Sequence, residues 1–319
     1  SWAGYWDTKT ARIGGLDLTN LTVDSLVNAL NSGAIDLATL SSTAQIPGVK
    51  NQPNTVVLVG PSPVPQLRTF LLNPAVPPLD NLKVRQAIAY ALDRDAIADV
   101  MTDGQAKGLY QWFPKGQLGY DSALDSTYKY DPAKAKQLLT EAGFPNGFDL
   151  KAVIGVTSTS YIQQGELVQA QLKKVGINMT LDKIEVAQMV PSMYTGGPNN
   201  KGVINSAPWG SNLTPDLDTI LRRQFLSDGA TNNGGDEPAG LRTLLDQAAA
   251  EADSAKRDVL YKQVNKIITE DVREGIPLFV LPAIMAFKDY VGGINKIETG
   301  CPSNLRGIYI TQGKVPVKK

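Results

Sequence analysis

Between Asp131 and Leu181 the apolar spacing switches repeatedly between a helical and an extended period, and that alternation narrows the folds open to the chain. Asp131 can cap a helix, Pro132 suits its first turn, Ala135, Leu138 and Leu139 share one face, and Gly143 closes it. A strand over 148–154 follows, then a helix through Ile162, Leu167, Val168 and Leu172 that stops at Gly176. Ile177, Met179 and Leu181 then alternate as a strand. Strands alternating with helices specify an α/β architecture with parallel pairing.

The flanking segments extend the pattern. Val23, Leu26, Val27 and Leu30 make one helical stripe ending at Gly33, and strands are expected over 35–39, 55–59 and 67–72. Asn73-Pro74 and Pro77-Pro78 break the chain, which places a domain crossing there. Asp80 precedes a helix carrying Val84, Ile88 and Leu92, and Asp93 starts another through Ile97 and Val100. From Asp103 to Tyr130 no period holds; a stretch that long is expected to be a packed or functional excursion. A strand is expected over 202–207, helices over about 239–251 and 254–271, and closely spaced strands over 276–281 and 284–287. Gly292-Gly293 could mark a second crossing. With 319 residues, two domains are expected.

The sequence contains no histidine, which removes Ser-His, Cys-His and His-Asp nucleophile systems and leaves zinc or nickel without imidazole. No metal site and no cofactor are expected. Cys301 is the single cysteine, so no internal disulfide forms. Ser126-Thr127-Tyr128-Lys129 fits an SxxK pattern without the KTG or SDN partners, and reads as an ordinary loop. Asp216 and Asp218 could serve a carboxylate hydrolase, but read better as helix-start residues. Basic and acidic residues number 31 each, and no basic run precedes the Lys318-Lys319 tail, so nucleic acid is not an expected partner. The apolar run 276–287 is too short to span a bilayer and holds two prolines.

Four segments carry a resemblance. Pro77-Pro78-Leu79-Asp80-Asn81-Leu82-Lys83-Val84-Arg85-Gln86-Ala87-Ile88, continuing into Tyr90-Ala91-Leu92-Asp93-Arg94, is similar to the PPFDDxRVRQAIxYAIDR signature of the family 5 extracellular solute-binding proteins, which bind peptides, nickel and oligosaccharides. Tyr130-Asp131-Pro132-Ala133-Lys134-Ala135, with Glu141-Ala142-Gly143-Phe144-Pro145, resembles a second family segment. Lys256-Arg257 through Ile276-Pro277-Leu278 resembles a third, and Leu30-Asn31-Ser32-Gly33-Ala34-Ile35-Asp36-Leu37 a fourth. Tyr5-Trp6 resembles an element lying well inside full-length members. The chain is therefore expected to be roughly the C-terminal two-thirds of a parent whose signal peptide and lipid-attachment cysteine precede Ser1.

The resemblance implies a two-lobed periplasmic-binding-protein-like fold (type II, family 5), lacking the N-terminal part of its first lobe. Residues 1–72 and 289–319 would be what remains of that lobe, and 73–288 the complete second one. It implies the extracytoplasmic solute-binding component of an ABC importer, a monomer and not an enzyme. Such a protein captures a small polar solute, peptide-like or an oligosaccharide, by closure of hinged lobes, and hands it to the permease subunits in the membrane. Taking such an equilibrium from mostly open to mostly closed needs about 5.5 kcal/mol of differential binding.

By the same likeness, Ala207-Pro208-Trp209-Gly210-Ser211-Asn212 resembles a cleft-edge element in which Trp packs on ligand and an Asp pairs with a peptide ammonium. Asn212 occupies the Asp position and offers no ion pair, which argues against cationic peptides. Trp209, Ser211 and Asn212 are thus candidate ligand residues; a core tryptophan beneath a loop is the lesser reading of Trp209. Arg68 stands where many relatives carry an aromatic; it would favour an anionic or hydroxyl-rich ligand, or simply face solvent from an edge strand. Tyr110 and Trp112, in the excursion, complete the set; with Trp209, Trp112 would suit stacking on a sugar.

Overall fold

The computed structural model describes residues 15–60, 65–155, 159–185, 204–205, 217–232, 236–294 and 308–311. In chain order the elements are α1 (Val23–Ser32), β1 (Leu37–Leu40), α2 (Ile46–Lys50), β2 (Thr55–Gly60), β3 (Gln66–Leu71), α3 (Leu82–Ala91), α4 (Arg94–Thr102) and α5 (Pro132–Glu141). They continue through β4 (Phe148–Gly155), α6 (Thr159–Lys173), β5 (Ile177–Ile184), β6 (Ile204–Asn205) and α7 (Leu217–Phe225). The chain closes with α8 (Leu241–Ala250), α9 (Ser254–Asp271), β7 (Gly275–Leu281), β8 (Ala283–Lys288), β9 (Val291–Gly292) and β10 (Tyr309–Ile310). Among the described residues, no helix is long and apolar enough to cross a membrane.

The chain divides into two compact units, Ser1–Pro65 with Leu281–Lys319, and Gln66–Val280. β3 pairs with β7 and carries Leu67 into the core of the second unit, whereas β8 belongs to another sheet.

In the first unit, β8 is the central strand, antiparallel to β1 on one side and β2 on the other. Phe287 thus stands opposite both Leu37 and Val56. Helix α1 is held at its start by the Thr22 hydroxyl, which accepts from Ser25 N at 3.4 Å, and ends at Gly33 with φ 74°, a left-handed conformation that glycine adopts without strain. Leu30 on α1, Ala38 and Leu40 on β1, Val49 and Ile284 form the core beneath the sheet.

In the second unit, β4 lies between β5 and β6 and is parallel to both, as the alternating pattern specified. Helix α6 supplies the crossover from β4 to β5 and packs so closely that a Cβ on Gly165 would meet Ile154 and Leu181. Its Val168 and Leu172 are fully buried, each worth about 1.5–3 kcal/mol of apolar transfer. The turns feeding β4 and β5 touch: Gly147 has φ 75°, and any side chain there would run into the Gly176 carbonyl. The Asp131 cap forms as expected, its carboxylate accepting from Lys134 N at 2.8 Å. A second core gathers α7, α8 and α9 around Trp112, Phe225, Leu245, Tyr261 and Ile268.

Candidate functional site

Because β5, β4 and β6 run the same way, their carboxyl ends, at Ile184, Gly155 and Asn205, share one edge of the sheet. Crevices outside the carboxyl ends of parallel strands are where open α/β sheets take ligands. Helix α6 begins on this edge, and β6 releases the chain there toward 206–216. Trp209, Ser211 and Asn212 fall in that segment, outside the described residues, as does Asp216.

Arg68 reaches this edge from β3. It is only 6% exposed, so the alternative of a solvent-facing arginine does not hold. Its Nη2 donates to the Ser160 hydroxyl at 3.4 Å, and its Cζ lies 4.5 Å from the centre of the Tyr161 ring. Ser160 and Tyr161 belong to the first turn of α6. Next along that helix, fully buried Gln164 donates to the Thr69 carbonyl at 3.0 Å and fastens α6 to β3. The Arg68 Nε and Nη1 are buried and have no hydrogen-bond acceptor among the described residues. Burial lowers its pKa, and among the described residues Tyr161 alone opposes that, with no carboxylate contributing. A guanidinium is a strong base, so it stays charged.

Tyr110 and Trp112 are placed differently. The Tyr110 hydroxyl donates to Asp95 Oδ2 at 2.8 Å, and its ring lies under the Arg94 guanidinium at 4.9 Å. Burial and then the Asp95 hydrogen bond push the tyrosine pKa far up; burial brings that of Arg94 down to about 10. Trp112 is 3% exposed and meets Phe225 edge-on at 5.1 Å in the helical core, so neither ring face is open to solvent. The excursion from 103 to 130 is therefore packed. Asn265 fastens it, donating to Gln111 Oε1 at 2.7 Å and the Gly119 carbonyl at 3.0 Å.

A second concavity, open and about 580 Å³, is lined by Leu82, Gln86, Tyr90, Tyr128, Ile267 and Glu270. Its polar groups engage one another: Tyr128 donates to the Glu270 carbonyl at 2.6 Å, and Gln86 donates to the Tyr128 hydroxyl at 3.1 Å. Tyr128, of the SxxK pattern, is thus part of a clamp. Asp218, of the acidic pair, accepts from Arg222 Nε at 2.7 Å one turn away on α7. Among the described residues, no group of three or more His, Cys, Asp or Glu side chains could hold a metal ion.

Sequence reasoning singled out Arg68 but not its partners. Ser160 and Tyr161 carry no motif, and only the crossing of β3 near the start of α6 brings them to it.

Residues 3–232 match the family described as bacterial extracellular solute-binding proteins, family 5 Middle. The chain is 29% identical over 281 residues to heme-binding protein A of Haemophilus influenzae, covering 83% of this chain and 48% of that one. It is 26% identical over 300 residues to the glutathione-binding protein GsiB of Escherichia coli, covering 92% and 57%. Among solved structures, the periplasmic binding protein DppA from Helicobacter pylori, in complex with the peptide STSA, superposes with a TM-score of 0.74 at 24% identity, covering 91% of this chain and 56% of that one. The chain spans about half the length of the curated relatives it matches.

Proposed function

Since this chain belongs to the family 5 bacterial extracellular solute-binding proteins, we propose that the whole protein is the extracytoplasmic capture component of an ABC importer. It binds a peptide-like or other small polar solute by closure of hinged lobes and delivers it to the membrane permease, making and breaking no covalent bond. Periplasmic residence or attachment through a lipid are both compatible with that role. The observation carrying the reading is the family match across most of the chain, in which the segment from Pro77 to Arg94 builds α3 and the cap of α4. Relatives named for heme and for glutathione support a binding role and leave the solute open.

In this reading Trp209, Ser211 and Asn212 border the solute, since β6 delivers the chain to the carboxyl edge of the sheet at Asn205. Arg68 is the described residue at that edge with binding capacity to spare. The sugar alternative draws less support, because Trp112 is enclosed in the core.

A thermal-shift screen of the whole protein against peptides, neutral sugars and metal chelates tests the proposal. A ligand present at about 100 times its Kd stabilises by about 2.7 kcal/mol. Saturable stabilisation by at least one class, with no turnover, is expected. Silence across the panel, or hydrolysis of any member, contradicts the proposal.

A further inference from the structure

We propose that Arg68, seated against the start of α6, receives a carboxylate of the transported solute. This rests on the solute-binding reading above and narrows its ligand class.

Three observations converge. First, Arg68 is buried, yet no carboxylate influences it and its Nε and Nη1 make no hydrogen bond among the described residues. A buried charge without a counter-charge is unfavourable, and truncating a partner to leave one is strongly destabilising in proteins generally. The molecule keeps here a group whose natural complement is an anion. Second, its neighbours Ser160 and Tyr161 lie in the first turn of a 15-residue helix, the end that carries partial positive charge. Cation and helix start repel each other mildly, and both favour an anion placed beside them. Third, Tyr161 under the guanidinium and Gln164 bonded to Thr69 hold β3 and α6 in register, so the donors are positioned before ligand arrives.

The charge count selects the anion. Among the described residues, Tyr161 is the ionisable group that acts on Arg68. A single guanidinium balances one negative charge and presents paired donors that match a carboxylate. A phosphate dianion would ask for more positive charge than the described residues of this edge supply.

The test uses the whole protein, wild type and Arg68→Met, incubated with an equimolar mixture of tripeptides and small organic acids together with their carboxamide counterparts and a set of phosphomonoesters. Native mass spectrometry reads what is retained. Wild type is expected to retain carboxylates over matched amides by at least tenfold, and Arg68→Met to bring that ratio to near one. Methionine fills similar volume without the charge, so the ligand-free variant is expected to melt no lower than wild type. Equal retention of acids and amides by wild type, a preference that survives Arg68→Met, or preferential retention of phosphomonoesters each overturns the assignment. So does a large fall in melting temperature for ligand-free Arg68→Met, which would make Arg68 a structural residue. Retention of neutral solutes alone leaves the binder standing and removes Arg68 from the site; retention of nothing removes the binder as well.

Discussion

Arg85 and Asp271 lie 186 positions apart in the chain, and the Arg85 Nη2 reaches the Asp271 carboxylate at 2.9 Å. The same guanidinium donates to the Asp271 carbonyl at the end of α9 and to the carbonyls of Leu79 and Asp80 ahead of α3. The arginine of the family signature is thus a staple. It caps one helix and ties the start of another to it, with its side chain only 3% exposed. Arg85→Ala is expected to cost about 3 kcal/mol or more, since it leaves the carbonyls of Leu79, Asp80 and Asp271 without this donor while Arg273 keeps the Asp271 carboxylate paired. Arg85→Lys should restore less than half of that, because a lysine cannot serve all four acceptors at once. Urea unfolding checks both; a loss within experimental error for Arg85→Ala would contradict the staple.

Asn265 is the corresponding hub for the excursion. It also accepts from Trp112 N at 3.3 Å and from Thr269 Oγ1 at 3.1 Å, and it is fully buried. Asn265→Leu would leave several buried groups unpaired, at about 1–3 kcal/mol for each. The variant should lose at least about 3 kcal/mol in urea unfolding, and amide exchange should quicken at Trp112.

In the first unit, the Tyr290 hydroxyl donates to Asp36 Oδ1 at 2.6 Å, joining the end of β8 to the entry of β1. Tyr290→Phe keeps the ring in its packing and removes that bond alone. The expected cost is about 1.5–3 kcal/mol, the range for a hydrogen bond to a charged group. Equal denaturant midpoints for the two proteins would show that the bond adds nothing.

Glu237 supplies a pH dependence. The Arg242 hydrogen bond, helped by the Ser227 backbone N–H, pulls its pKa from 4.5 down to about 2. A carboxyl group depressed in the folded state binds its proton more readily when unfolded. Its contribution is therefore present above about pH 4.5 and is lost as the pH falls toward 2. Urea midpoints of wild type should decline through that window more steeply than those of Glu237→Gln; parallel declines would exclude Glu237 as a source.

Much of this architecture was legible in the residues because local signals and tertiary demands agree. Asp131, Pro132 and Gly143 bound α5, and the strand–helix–strand pattern after it yields parallel pairing of β4 and β5. The helix α2 was not read, since five residues with Pro47 and Gly48 carry no period. Asn81 rather than Asp80 caps α3, a choice between adjacent cap-forming residues that the sequence leaves open. Asn73 and the prolines mark where the chain bends, whereas it is the pairing of β3 with β7, invisible in the residues, that joins those two strands. Around the site, residue type pointed to Arg68, and burial without a counter-ion could be seen only once β3 and α6 were placed together. Trp112 shows the converse: an aromatic in an aperiodic stretch reads alike whether it packs inward or faces ligand, and the contact with Phe225 decides.

The central claim is capture without chemistry. It is tested most directly by equilibrating the whole protein with a defined peptide mixture, washing, denaturing, and weighing what is released. The account predicts saturable retention of one or more solutes, released with masses identical to those supplied. Retention no greater than that of a non-binding control protein, or released species whose masses have gained the elements of water, would contradict it.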